Sequence, residues 1–301
     1  MRIVFGYIGD YIRGLNKWVL LATSLFTAAL VFFNYYFGWD DRMDGLDFFP
    51  LLFLRYAVFA IAFLAPYIFY SVLTSKNYFR IRPFVVLGLL APSFFALKTA
   101  ITVRLPFPED PEFWNKVVYW PVLLLVMFGL LLITYKQTRQ EGSFYGLTTK
   151  AVVWKPYVIM LLVMVPLIII ASTQPDFLHT YPKLQNLEGS QSLSEIPWWK
   201  KVLFELSYGS DFLSIEVFFR GFLILAFVKW AGKDAILPMA CFYCTIHFGK
   251  PLGECISSYF GGVLLGILVY NTRSVLGGLM VHLGIAWLME IGGYVGNGLS
   301  G

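Results

Sequence analysis

The stretch VVYWPVLLLVMFGLLLITY, residues 117–135, runs for 19 residues without one charged side chain. At about 1.5 Å of rise per residue, a helix of this length nearly spans a hydrocarbon core of roughly 30 Å. Comparable stretches lie near 18–38, 49–73, 83–103, 151–172, 201–230, 235–249, 257–271 and 275–294. They predict an all-α, polytopic transmembrane bundle of about eight membrane helices. The stretches at 235–249 and 257–271 are short for full crossings. They are expected to be tilted, broken or re-entrant, where protein or a water-filled cavity satisfies their backbone. Composition agrees, with 58% hydrophobic residues, 14% charged residues and a mean hydropathy of +0.69. Soluble domains carry about 25% charge, so this chain lacks the charge to cover a water-facing surface. Aromatics at 19% exclude a disordered chain, and 3 cysteines exclude a disulfide-stapled secreted fold.

Loop charges alternate in sign. Asp40, Asp41, Asp44 and Asp47 oppose only Arg42 in 39–47, whereas 74–82 holds Lys76, Arg80 and Arg82. Glu109, Asp110 and Glu112 follow in 104–115, then Lys136, Arg139 and Lys150 in 136–150. Positive loops stay cytoplasmic, which predicts an integral membrane protein of a bacterial inner membrane with its N-terminus in the cytoplasm. The loops at 39–47, 104–115 and 173–200 then face out. The first apolar run has no small-residue cleavage pattern at its end, so it is expected to stay as a helix rather than leave as a signal peptide. The formal charge of +5 belongs to these loops and predicts no nucleic-acid partner.

The long connection 173–200 ends in Pro197-Trp198-Trp199-Lys200-Lys201, the composition of an interfacial anchor. It is expected to be a surface loop with a membrane-lying segment; a lid over a site is the sharper alternative. It divides the chain into N-terminal membrane helices, 1–200, and a C-terminal core, 201–301.

Ionisable side chains inside a span mark function or pairing. Arg55, Lys98 and Lys155 lie near predicted helix ends, where snorkelling accounts for them. Asp211, Glu216, Arg220, His247, His282 and Glu290 all fall within or beside apolar segments after residue 200. Glu216 and Arg220, four apart, are spaced to pair on one helix face, and a structural salt bridge is the plain reading of them. A single histidine in a helix is usually a hydrogen-bonded core residue. Two, with carboxylates, in an apolar bundle suggest a site.

At these residues the sequence resembles the CPBP family, the CAAX proteases and bacteriocin-processing enzymes also called Abi proteins. Glu216-Val217-Phe218-Phe219-Arg220-Gly221 is similar to the second half of its E-E-x-x-x-R motif. Phe242 to His247, or Tyr243 to His247 at the F-x-x-x-H spacing, resembles the second motif, and Gly262 to His282 the last block, which normally closes with H-x-x-x-N. The family's leading Glu falls here on Ile215 and its final Asn on Ala286. The resemblance implies an intramembrane endopeptidase in which a carboxylate activates water, His247 orients that water, and His282 supports the oxyanion. A donor of that kind is worth about 2.7–4 kcal/mol. With Ile215 apolar, three outcomes stand open: Glu216 is the base, Asp211 replaces it from one turn earlier, or the site is inactive.

Cys241-Phe242-Tyr243-Cys244, with His247 three residues on, is a C-x-x-C whose helical arc suits tetrahedral zinc poorly. Apolar packing is its expected role, and neither a metal nor a cofactor is expected. Gly261-Gly262, Gly266 and Gly277-Gly278 offer faces for close helix contact. No glycine-rich nucleotide loop is present. The sequence therefore predicts a CPBP-like endopeptidase acting at the lipid bilayer on a membrane-associated protein or peptide. The rival reading is an inactive homologue that serves as a binding or scaffold subunit for other membrane subunits. A transporter comes third, disfavoured by the scarcity of charge in the first five helices.

Overall fold

A computed structural model describes residues 2–43, 45–138, 140, 142–150, 152–187, 193 and 195–300. Asp44 and Arg139, counted above among the loop charges, lie outside the described residues, as do 188–192 and 194 of the long connection. The helices run in order as α1 Arg2–Arg13, α2 Lys17–Phe37, α3 Trp39–Met43, α4 Phe48–Leu73, α5 Arg82–Ala100, α6 Pro111–Gln137 and α7 Trp154–Ala171. They continue as α8 Pro175–Thr180, α9 Trp198–Glu216, a π-helix over Val217–Ala226, α10 Val228–Ala231, α11 Ile236–Thr245, α12 Leu252–Thr272 and α13 Leu276–Ser300. No strand occurs among the described residues, and the fold is all-α as expected.

Among the described residues, seven helices are long and apolar enough to cross a membrane: α2, α4, α5, α6, α7, α12 and α13. They account for seven of the nine apolar stretches. The stretch at 201–230 is split between α9 and the π-helix. The stretch at 235–249 condenses into α11, whose 10 residues rise only about 15 Å. The stretch at 257–271, expected to be short, belongs to a helix of 21 residues, long enough for a full crossing. Its first turn adds Glu254, which pairs with Lys250 at 2.7 Å, so an ion pair at the helix start hid the true length from an apolar window.

The contacts divide the chain into two compact units. The first comprises Met1–Ile101, Leu130–Ala151 and Val217–Val275. Every residue of α11 is buried there, as an element hydrophobic all round must be. Phe242 on α11 meets Phe59, Phe63, Phe95, Phe218 and Phe219 at ring separations of 4.9–6.2 Å. Lys98, expected to snorkel, is instead 4% exposed, with its ammonium 4.7 Å from the Phe95 ring centre. The ring quadrupole offsets part of the desolvation cost that snorkelling would have avoided.

Loops of this unit gather in two groups. Asp234 pairs with Lys76 and accepts from the Tyr78 hydroxyl at 2.6 Å, while Lys233 packs against Gly14. Burial and the Asp234 charge hold the Tyr78 hydroxyl above its ordinary pKa. The other group joins Asp40 to Arg55, Asp40 to Gly249, and the Tyr35 hydroxyl to the Lys250 carbonyl.

The second unit comprises Thr102–Gly129, Val152–Glu216 and Leu276–Gly301. One core cluster unites Phe113, Val117 and Trp120 of α6 with Leu184 and Phe204. Another joins Ile168, Phe177 and Tyr181, with Ile285, Leu288 and Met289 of α13 packed around them. The described part of the long connection is thus no loose surface loop. The Lys183 amide donates to Glu290 Oε2 at 2.8 Å, and the Asn297 amide donates to the Tyr181 carbonyl at 2.9 Å. Polar caps on an apolar contact secure this connection against α13.

Candidate functional site

Glu216 ends α9 and is fully buried. A buried carboxylate is costly unless partnered, and its partner is His282 of α13. The His282 Nδ1–H donates to Glu216 Oε1 at 2.9 Å. With Glu216 as a carboxylate, which only accepts, the ring proton sits on Nδ1 and Nε2 is left as the basic nitrogen. The ring of His282 stands edge-on to Phe212 at 4.7 Å, which restrains it further. Space for the carboxylate comes from Gly278, where a Cβ would lie 2.8 Å from Glu216 Oε2. The small-residue face read from Gly277-Gly278 therefore makes room for a buried carboxylate as well as a helix contact.

Asp211, also in the second unit, has other company. It accepts from the Ser214 hydroxyl at 3.0 Å, and its charge interacts with that of Lys116. The Lys116 ammonium lies 4.9 Å from the Tyr119 ring centre. Asp211 and Glu216 are five residues apart, which puts them about 140° apart around an α-helix. Ile215 is half-buried and Ala286 is 6% exposed.

The remaining motif residues lie in the first unit. The chain leaves α9 directly into the π-helix, and such widened turns recur at functional sites. Arg220 within it is fully buried, and its guanidinium carbon lies 3.8 Å from the Tyr243 ring centre. A desolvated cation over an aromatic face gains about 2 kcal/mol, which makes Tyr243 a principal support of this arginine. Tyr243 also serves His247. The His247 Nδ1–H donates to the Tyr243 carbonyl at 3.0 Å, and the two rings meet edge-on at 4.7 Å. His247 is 6% exposed and has the same tautomer as His282, with Nε2 as the basic nitrogen. Gly221 closes the motif for a steric reason: a Cβ there would lie 2.4 Å from the Tyr145 carbonyl oxygen.

The structure thus joins Glu216 to His282, and joins Arg220 to His247 through Tyr243. Sequence reading missed Tyr243 as a support. The available signal was its place four residues before His247, the spacing at which a ring nitrogen reaches back to a helix carbonyl. The C-x-x-C is likewise regrouped, because Cys244 faces Cys255 of α12 at 3.9 Å between sulfurs. Among the described residues, no group of three or more His, Cys, Asp or Glu side chains is placed to hold a metal ion.

Residues 202–288 match a family model described as type II CAAX prenyl endopeptidase, Rce1-like. The match covers the segment in which the CPBP motifs were read and supports a membrane endopeptidase of the CAAX-protease kind. Comparison with curated proteins and with solved structures found no match.

Proposed function

We propose that the protein is an active intramembrane endopeptidase that hydrolyses a peptide bond in a membrane-associated protein or peptide, with the Glu216–His282 pair handling the proton. The observation that carries this reading is the 2.9 Å bond between a fully buried carboxylate and the Nδ1–H of His282. In that arrangement the carboxylate holds the ring in one tautomer and stabilises the imidazolium that forms when Nε2 takes a proton. Water attacks the scissile carbonyl carbon as its proton passes to Nε2, and the same proton then goes to the leaving amine. This role replaces the base that the family places where Ile215 stands, and it moves His282 from oxyanion donor to base. His247 is the pattern's other imidazole, with its tautomer set by the Tyr243 carbonyl. Residues 201–301 form the enzyme-like core, and 1–200 the membrane scaffold that accompanies it. The alternating loop charges support a cytoplasmic N-terminus in a bacterial inner membrane.

One observation favours a second reading. The apolar Ile215 at the usual carboxylate position suits a non-catalytic homologue that holds a membrane protein in a complex. A cleavage assay in nanodiscs separates the two, with a prenylated CAAX peptide and an unprenylated membrane-anchored peptide offered side by side. Turnover that falls by about 10²–10⁴ in His282→Ala supports the endopeptidase, as loss of a general base should. No turnover of any peptide by the wild-type protein, or full turnover by His282→Ala, refutes it. If the protein is a scaffold, His247→Ala and wild type are equally silent in the assay and differ only in complex assembly in cells.

A further inference from the structure

The regrouped cysteines carry an inference independent of the proteolytic reading. Cys244 near the end of α11 and Cys255 in the first turns of α12 place their sulfurs 3.9 Å apart. The placement is reciprocal. Cys244 Sγ donates to the Cys255 carbonyl at 3.3 Å, and Cys255 Sγ donates to the Cys244 carbonyl at 3.7 Å. Each thiol therefore already lies against the other's backbone, with the sulfurs 3.9 Å apart against about 2.0 Å in a closed disulfide. The third thiol, Cys241, is one helical turn before Cys244 on the same element.

Both thiols of the pair are buried, at 1% and 0% exposure, which shuts out the active site of a protein oxidase. A different route is open. Cys244 lines an apolar cavity of about 270 Å³ together with Thr27, Val31, Ile256, Tyr259 and Phe260. Ile256 and Phe260 are 46% and 65% exposed, so the cavity mouth lies on an apolar outer face of α12. Ligand sites run from about 300 Å³ upward; this one suits a single ring that arrives through lipid.

We propose that Cys244 and Cys255 form a redox-active dithiol that a lipid-soluble quinone oxidises to a disulfide linking α11 to α12. Cys244 sulfur adds to a ring carbon of the quinone, which gives a thiol adduct. Cys255 sulfur then attacks the Cys244 sulfur, the S–S bond forms as the C–S bond breaks, and the hydroquinone leaves with two electrons and both thiol protons. The closed ring contains the 246–251 turn and His247, so oxidation ties this histidine's backbone to α12.

The test uses the full-length protein in nanodiscs, fully reduced and freed of reductant, and then incubated with a short-chain ubiquinone. After acid quenching and unfolding in detergent, a polymer-tagged maleimide counts the remaining thiols. The expected result is a fall from three reactive thiols to one, with one quinol formed per protein. Cys241→Ser should fall from two to none, whereas Cys255→Ser, in which the Cys244 adduct has no resolving thiol, should form no disulfide and release no quinol. Three reactive thiols in the wild-type protein after quinone treatment overturn the proposal without recourse to any variant. Quinol release by Cys255→Ser overturns the pairing.

Discussion

Gly278 and Gly221 show how much of the site rests on absent atoms. A methyl group at 278 would press on Glu216 Oε2 at 2.8 Å, displacing the carboxylate that orients His282. Gly278→Ala is expected to lower turnover by about 10²-fold, the cost of a displacement near 1 Å in a catalytic array, with little change in unfolding temperature. Initial-rate and melting measurements on one preparation check both halves. At Gly221 the obstacle is the Tyr145 backbone, which cannot rotate away, so Gly221→Ala should cost about 1–3 kcal/mol of stability in denaturant unfolding. Glu216→Gln keeps the shape but removes the charge that stabilises the imidazolium. It is expected to retain the fold and lose turnover, with the larger effect on kcat than on KM because the imidazolium forms only during reaction. The motif residues were legible one by one. Their partners were not, since Glu216 and His282 are 66 positions apart and no local pattern ties them.

Among the elements, the long apolar helices were read well because each is a sum of local transfer energies. Boundaries failed where polar residues joined a helix for tertiary reasons, as Glu254 does at the start of α12 through Lys250. Helix α1 was not anticipated. A reading for membrane spans passes over its 12 residues, too few to cross a bilayer, although Val4 and Tyr11 share one buried face. The π-helix was also invisible, because its widened hydrogen-bond spacing leaves no signature in residue types. Its aromatics are part of the first unit's core: Phe218, Phe219 and Phe222 are fully buried, and Phe222 stacks on Phe94 at 5.8 Å. Phe222→Ala is expected to destabilise by about 3–5 kcal/mol, and Leu at this position by distinctly less, in reversible denaturation in mild detergent.

At the scale of the whole molecule, the alternating loop charges predict one topology, and the loop groupings of the first unit are compatible with it. Leu46, in the acidic group, and Ser75, in the basic group, should face opposite sides of the membrane. With the native thiols buried, Leu46→Cys is expected to react with an impermeant maleimide in intact cells, and Ser75→Cys only after permeabilisation. Equal labelling of both in intact cells would refute this topology, and labelling of Ser75→Cys alone would reverse it. Low overall charge determined the bilayer address from sequence alone, because burying apolar surface in lipid depends on composition and run length and needs no tertiary contact. The concentration of Asp211, Glu216, Arg220, His247 and His282 after residue 200 marked a candidate site for the same reason: charge in an apolar run is costly wherever the chain folds. Only the tertiary structure decided which of these groups meet. It paired Glu216 with His282, set Arg220 on Tyr243, and turned Cys244 away from Cys241 toward Cys255, since hydrogen bonds and sulfur contacts act over a few ångströms and their partners are set by packing between helices distant in sequence.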